Sequence, residues 1–194
     1  MKTIRILPIV LLFFTFQSFG QKIENFNLED IQTGETFELA DHKDSKAIVL
    51  IFTTLSCPFS KLYENRIIDL YNNYSKDNYV FAMVNPHFGV DEEESKENVE
   101  GRFKGKVSGL SVLNDGTQML TKQLQVTKLP EVIVITPSQT GFAVAYRGAI
   151  DNNPQVPESA NMKYLENALE NIQNKKNPSP SSSRPVGCNI RLVN

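Results

Sequence analysis

An apolar run that ends at a cysteine and a proline is the feature that most constrains the fold of this chain. Residues 46–55 are largely apolar and rich in β-branched side chains, a composition typical of a buried strand. Pro58, directly after Cys57, suits the first position of a helix because it has no N–H to lose and its φ is fixed. Apolar residues then recur every three or four positions to about Ser75, which predicts an amphipathic helix. The chain is therefore expected to pass from a sheet into a helix at Cys57.

Cys57 lies where this helix is predicted to begin, and the position has chemical consequences. The first N–H groups of a helix have no partner within the helix, and the helix dipole favours negative charge there. The thiolate is the reactive form of cysteine, and cysteines at helix N-termini reach that form more readily. The sequence therefore indicates a redox-active nucleophile at Cys57.

The first twenty residues have the pattern of a secretory signal peptide. Lys2 and Arg5 form the charged start, residues 6–16 the apolar centre, and residues 18–20 a small-residue exit. The apolar centre is shorter than the roughly 20 residues that span a bilayer, and no cysteine follows it to carry a lipid anchor. We expect cleavage at the end of this segment and a periplasmic or secreted protein, the alternative being an uncleaved anchor.

Charge and length limit the remaining chain further. Loss of Lys2 and Arg5 takes the net charge from −2 to −4, and no basic patch for nucleic acid remains. About 155 ordered residues are enough for one hydrophobic core, so residues 21–174 are predicted to form a single domain, which we expect to be a monomer. Residues 175–194 are rich in proline and serine and predict a flexible tail that carries Cys188.

Alternation and helical spacing place the other elements. Two alternating segments on either side of Gly34 predict an N-terminal β-hairpin. The further predicted elements are a strand at 78–85, a polar segment at 86–109 with a short surface helix at 91–100, a strand at 110–113, a helix at 117–126 with Met119, Leu120 and Leu124 on its apolar face, strands at 131–136 and 142–147 around a turn, and a helix at 159–174 that includes Met162. Parallel strands joined by a helix, followed by an antiparallel hairpin, predict an α/β fold with a mixed sheet and helices on both faces.

Several of these segments together resemble the thioredoxin-like superfamily. The matching segments are the Cys57-Pro58 corner, residues 113–115 with the helix after them, residues 127–134, and residues 146–151. Within the superfamily, the chain is similar to the redoxin group, which includes AhpC/TSA-type proteins and exported thiol-disulfide oxidoreductases. The resemblance covers about residues 22–174 and implies a thioredoxin-like mixed sheet flanked by helices, with the N-terminal hairpin added.

The resemblance also implies roles for the residues around Cys57. Cys57 would be the nucleophile, and Pro130 the cis-proline of the fold beside it. The backbone of Leu129 would pair with an extended substrate strand. Without the resemblance, Pro130 reads as the first residue of an edge strand.

Two departures from the related patterns affect the function. Ser60 stands where a Cys-x-x-Cys motif has its second cysteine, so Cys57 has no resolving thiol at that position. In the peroxiredoxin pattern, Thr54 matches the threonine but Leu50 occupies the proline position. Arg147 lies further along the chain than the arginine of that pattern, and these differences weaken a peroxidase interpretation.

Cys188 is the candidate resolving thiol, because the tail can deliver it. At roughly 3.3 Å per residue, the segment from Lys175 to Cys188 reaches about 40 Å when extended. The alternatives are a permanent structural disulfide with Cys57, a disulfide with another chain, or a free thiol. A Gly187-Cys188-x-Ile190 ending of this kind looks like an appendage of a bacterial subset of these proteins.

The supporting residues also have two interpretations each. The Ser60 hydroxyl could donate to the Cys57 thiolate or satisfy a backbone N–H, and Thr54 could orient the sulfur or fill the strand. We expect no cofactor and no metal: a site built from Cys57, Cys188 and His87 is disfavoured, and the acidic run 91–94 is expected to be solvated.

Three functions remain open from the sequence. The first is an exported thiol-disulfide oxidoreductase that acts on protein thiols or disulfides. The second is a peroxiredoxin-like peroxidase that acts on peroxide, and the third is a non-catalytic thioredoxin-like module that binds a partner. Cys188 separates the first from the third, because a catalytic cycle needs a second thiol.

Overall fold

The computed structural model describes residues 22–106 and 108–193. The predicted signal peptide, residues 1–20, lies outside the described residues. Strands are found at β1 (Lys22–Ile23), β2 (Asn27–Glu29), β3 (Thr36–Glu38), β4 (Ala47–Phe52), β5 (Tyr79–Asn85), β6 (Ser111–Asn114), β7 (Lys128–Leu129), β8 (Glu131–Ser138), β9 (Gly141–Gly148) and β10 (Cys188–Asn189). Helices are found at α1 (Pro58–Tyr74), α2 (Lys96–Phe103), α3 (Met119–Gln123) and α4 (Tyr164–Gln173).

The central sheet has the strand order β1-β9-β8-β4-β5-β6. Strands β4, β5 and β6 run parallel to one another, and β8, β9 and β1 are added in antiparallel pairs. Two smaller antiparallel pairs lie outside this sheet: the β2–β3 hairpin, and β7 with β10 from the tail. The predicted mixed sheet and N-terminal hairpin are therefore confirmed.

The two faces of strand β4 explain where the helices pack. Val49 and Ile51 face a cluster that contains apolar residues of α1, α2 and α4. Ile48 and Leu50 face the opposite cluster, which contains residues of α3 and of the hairpin. Every residue of β4 is buried, as expected for a strand covered on both sides. Helices on both faces of the sheet are therefore confirmed as well.

Helix α2 differs from the predicted surface helix at 91–100. The helix begins at Lys96 because the Ser95 hydroxyl caps it, accepting a hydrogen bond from the backbone N–H of Asn98. Val99 and Phe103 are buried in the core. Phe103 lies beyond the predicted end of the helix, so the predicted bounds were wrong at both ends.

Two helices are shorter than predicted, and each leaves a methionine exposed. Helix α3 begins only at Met119 because Gln118 has a left-handed backbone with φ of 59°. Met119 is 72% exposed, so its predicted place on the apolar face was wrong. Helix α4 begins at Tyr164 rather than 159, and Met162 lies exposed before it.

No helix in the described part of the chain is both long and apolar enough to cross a membrane.

Replacement of Ile51 by alanine tests the assignment of the core. Ile51 is fully buried in β4, and such truncations usually lower the free energy of unfolding by about 2–5 kcal/mol. Met119→Ala is the matched control, because an exposed side chain is expected to change it by no more than about 0.5 kcal/mol. Urea unfolding with the disulfide intact measures both, and an equal loss in the two variants would contradict this description of the core.

Candidate active site

Cys57 lies at the junction of β4 and α1, as the sequence predicts. It is the N-cap residue of α1, with an extended backbone, and Pro58 is the first residue of the helix. Its side chain is buried, with 3% of the residue exposed. Cys57 and Cys188 form a disulfide across a sequence separation of 131 residues, with their Cα atoms 6.0 Å apart.

The strand edge beside Cys57 is occupied by the tail. The Leu129–Pro130 peptide bond is cis, and the carbonyl oxygen of Leu129 lies 3.3 Å from Cys57 Sγ. Cys188 lies opposite Leu129 and Asn189 opposite Lys128 in the antiparallel β7–β10 pair. The tail thus fills the edge at which the resemblance implied an extended substrate.

A buried glutamate holds the loop that leads into Cys57. Glu94 is fully buried and accepts hydrogen bonds from the backbone N–H groups of Leu55 (3.2 Å) and Ser56 (2.8 Å). The Ser56 hydroxyl (2.7 Å) and the Asn85 side-chain amide (2.9 Å) also donate to it. These donors replace the water that a buried carboxylate loses. Glu94 therefore fixes the backbone immediately before Cys57.

The neighbouring polar residues complete this loop. The Ser60 hydroxyl accepts a hydrogen bond from the backbone N–H of Thr54 at 3.4 Å, and the Thr54 hydroxyl lies 3.5 Å from that of Ser56. Thr54 and Ser60 are both buried. Strand β4 ends at Phe52 rather than near residue 55 as predicted, and side chains accept the N–H groups of residues 54–56.

The expectation of a solvated acidic run at 91–94 was wrong for Glu94. Its neighbour Glu93 is half exposed and pairs with Lys61, so only one of the adjacent carboxylates is buried. The sequence has no signal that distinguishes Glu93 from Glu94, because the difference in their burial comes from a bend in the chain after β5. This bend is closed by hydrogen bonds from Gly89 N to Glu94 O and from Glu94 N to Asp91 Oδ1.

Buried polar side chains also clamp the end of the tail. His87 Nε2 accepts a hydrogen bond from the backbone N–H of Arg191 at 3.0 Å. The Gln118 side chain donates to Arg191 O (2.8 Å) and accepts from the backbone N–H of Val193 (3.0 Å). Arg191 also pairs with Asp91 at 2.6 Å. Neither His87 nor Gln118 was predicted to contact the tail, since both contacts bridge distant parts of the sequence.

The protonation state of His87 is coupled to this clamp. Burial lowers the pKa of His87 below its ordinary value of 6.5, and the nearby Arg191 cation acts in the same direction. The carboxylates of Glu94 and Asp91 oppose the shift less strongly. A neutral ring is needed for Nε2 to accept the hydrogen bond from Arg191, because a protonated Nε2 is a donor.

An upstream part of the tail is attached to strand β9. The backbone N–H of Arg147 donates to Ser181 O (3.2 Å), and that of Ser183 donates to Arg147 O (3.0 Å). The Ser183 hydroxyl contacts the buried Tyr146 hydroxyl at 2.7 Å. The tail therefore follows the domain from β9 to Cys188. The predicted flexibility of residues 175–194 stays a prediction.

Arg147 has its side chain committed elsewhere than to Cys57. Its guanidinium donates to Leu124 O and lies 3.7 Å from the buried Glu131 carboxylate. Across residues 22–106 and 108–193, no cluster of three or more histidine, cysteine, aspartate or glutamate side chains is arranged to hold a metal ion.

The sheet order and the cysteine at the start of α1 beside a proline-bounded strand edge place this chain in the thioredoxin-like class. Residues 19–141 match the AhpC/TSA family, and the chain belongs to that family. No curated protein has significant sequence similarity to it.

Several solved structures have the same thioredoxin-like fold as this chain. A hypothetical protein from Sinorhizobium meliloti is 22% identical, with a TM-score of 0.78, and the match covers 92% of this chain and 97% of that one. An exposed lipoprotein thioredoxin from Streptococcus pneumoniae is 20% identical (TM-score 0.56; coverage 78% and 99%). A thiol-disulfide oxidoreductase from Bacteroides fragilis is 18% identical (TM-score 0.53; coverage 66% and 89%). These similarities establish a fold shared with thiol-disulfide oxidoreductases.

Replacement of Glu94 by glutamine tests its hold on the active-site loop. One of its two oxygens becomes an NH₂ group that cannot accept, so a buried donor loses its partner and the free energy of unfolding is expected to fall by about 2–4 kcal/mol. The control is Glu93→Gln, whose exposed ion pair contributes no more than about 1 kcal/mol. Denaturant unfolding of both variants decides the question, and similar losses would refute the assigned role.

Acidification is expected to release the end of the tail from the reduced protein. Release returns His87 towards its ordinary pKa of 6.5, so the undocked state binds more protons and docking weakens as the pH falls below 6.5. The loss is at most about tenfold per pH unit for one proton. NMR signals of Ile190 and Arg191 between pH 7.5 and 5 measure it. His42→Gln should retain this dependence and His87→Gln should lose it; retention in His87→Gln would contradict the assignment.

Proposed function

We propose that this protein is an exported thiol-disulfide oxidoreductase in which Cys57 is the nucleophile and Cys188 the resolving thiol. The observation that carries the proposal is the disulfide between them, which joins a cysteine at a helix N-terminus to one on a peripheral tail. The disulfide is also the product expected from one catalytic turnover.

The proposed reaction consists of two disulfide exchanges. The Cys57 thiolate attacks one sulfur of a partner disulfide, forms a mixed disulfide with it, and releases the other partner sulfur as a thiolate. The Cys188 thiolate then attacks Cys57 Sγ, and the second partner sulfur leaves as a thiolate. The partner is reduced by two electrons and the Cys57–Cys188 pair is oxidised. A dithiol reductant restores the pair by the same chemistry.

A permanent structural disulfide is the alternative for this pair. The position of Cys57 favours the catalytic interpretation, because a helix N-terminus stabilises the thiolate that exists only when the disulfide is open. The position of Cys188 favours it too: the residue is half buried on a two-residue strand, so the backbone pairing directly beside the disulfide is short.

The supporting residues have specific proposed roles. Pro58 starts α1 directly after Cys57, so the positive end of the helix dipole lies beside this residue. Ser60 and Thr54 hold the backbone before Cys57. Leu129 and Pro130 form the edge that receives the partner's backbone after the tail leaves.

The proposed function includes export of the protein. Residues 1–20 have the pattern of a cleaved signal, and an oxidising compartment is where a disulfide of this kind persists. The description of the Streptococcus pneumoniae neighbour as an exposed lipoprotein thioredoxin supports such a location. The expected partners are protein thiols and disulfides.

Peroxidase activity is the second candidate, and membership of the AhpC/TSA family favours it. The site gives it less support, because Leu50 lies within the sheet where peroxiredoxins have a proline, and Arg147 is paired with Glu131.

Single substitutions of the two cysteines separate these functions. Reduction of insulin by the wild type with dithiothreitol should be lost in Cys57→Ser, because no nucleophile remains at the helix. With insulin and no dithiothreitol, Cys188→Ser should accumulate a mixed disulfide with the partner, visible on a non-reducing gel, because resolution is lost. Hydrogen peroxide consumption by the same variants tests the second candidate.

Each combination of results for the wild type and the two variants supports a different function. Equal insulin reduction by the wild type and both variants would disprove the proposed function. Loss in Cys57→Ser without a trapped species in Cys188→Ser would retain the nucleophile but remove the resolving role. Rapid peroxide consumption that depends on Cys57, without insulin reduction, would favour the peroxidase instead.

A further inference from the structure

Gly187, directly before Cys188, passes unusually close to the strand edge. A Cβ atom built at this position would lie 1.9 Å from the carbonyl oxygen of Leu129 and 3.3 Å from the backbone nitrogen of Pro130. Both neighbours are backbone atoms, so they cannot move aside as the end of a flexible side chain would. Only glycine therefore fits at this position of the tail.

The register of the tail is set by features that any partner would share. A disulfide to Cys57 restricts the distance between the two cysteine Cα atoms, and pairing with β7 sets the partner cysteine opposite Leu129, as for Cys188. In an antiparallel pair, the residue before that cysteine must then run past Leu129 O towards Pro130. A partner bound in this way meets the same obstruction that Gly187 avoids.

The positions after the cysteine also have defined surroundings. The Lys128 ammonium donates to the Asn189 side-chain oxygen at 2.6 Å. The backbone N–H of Ile190 donates to Thr127 O at 3.2 Å, and the Ile190 side chain packs on the apolar cluster that contains Cys57 and Leu129. The groove thus provides a polar contact at the first position after the cysteine and an apolar contact at the second.

We propose that this groove selects partner cysteines within an extended segment of the pattern glycine, cysteine, polar residue, aliphatic residue, and that the tail is an internal competitor for it. The proposal rests on the proposed function and names its substrate class. The partner is a protein whose reactive cysteine lies in an exposed strand or terminus of this pattern. Proteins with a bulky residue before the cysteine are excluded by Leu129 O.

Peptide disulfides measure this selection directly. The full chain carrying Cys188→Ser has Cys57 as its one thiol. It is mixed with a peptide of the sequence of residues 186–191 whose cysteine is joined to 5-thio-2-nitrobenzoate. The Cys57 thiolate attacks the peptide sulfur, forms the protein–peptide disulfide and releases the coloured thiolate, so absorbance gives the rate.

The analogue peptide has alanine in place of the glycine. It should react at least about tenfold more slowly with the folded protein, because an added methyl group without space is strongly unfavourable. In denaturant the two peptides should react at equal rates. Equal rates with the folded protein would overturn the inference while leaving the proposed function intact. If neither peptide reacts faster with the folded than with the unfolded protein, Cys57 is not activated and the proposed function itself fails.

The same selection can be measured within the chain. Gly187→Ala should lower the equilibrium constant for Cys57–Cys188 disulfide formation against glutathione by at least about tenfold. Gly101→Ala is the matched control, since a Cβ atom there meets nothing within 4 Å. An unchanged constant in Gly187→Ala would overturn the close-approach argument.

Discussion

The geometry of the site depends on the hydrogen bonds that the buried Glu94 carboxylate accepts from the loop before Cys57. Strand β4 ends at Phe52. The backbone N–H groups of residues 54–56 bond to side chains instead of to a neighbouring strand. Glu94 accepts two of them and the Ser60 hydroxyl a third. An unsatisfied buried N–H is costly, so these acceptors determine where the loop lies, and the loop determines where Cys57 enters α1. A residue outside both elements therefore controls the geometry of the sulfur.

The sequence predicted the parts of the molecule that depend on local patterns. The β-branched run gave β4, and the proline after Cys57 gave the start of α1, because both signals act over a few residues. Glu94, His87 and Gln118 could not be predicted, since their burial follows from contacts across tens of residues. The predicted start of α3 was wrong at a residue of the same kind: Gln118 has a left-handed backbone, and its side chain donates to the carbonyl oxygens of Pro86 and Arg191.

The tail combines two roles that thioredoxin-like proteins can keep separate. It supplies the second sulfur of the disulfide, and it covers the strand edge where a partner would pair. In the disulfide-bonded state, the Cys57 sulfur is bonded to Cys188 and the tail occupies the strand edge at the same time. Contacts at three places, with β9, with β7 and with the His87–Gln118 clamp, hold the tail in that position. Opening the disulfide removes only one of the constraints, so thiol chemistry and tail release are distinct steps.

The separation of 131 residues between the two cysteines also imposes an order on biosynthesis. Ribosomes add about 5–20 residues per second, so Cys57 leaves the ribosome on the order of ten seconds before Cys188. Since the chain has two cysteines, any disulfide that Cys57 forms in that interval joins it to another molecule. Among the residues of this chain, Cys188 is the thiol that can displace that molecule by disulfide exchange.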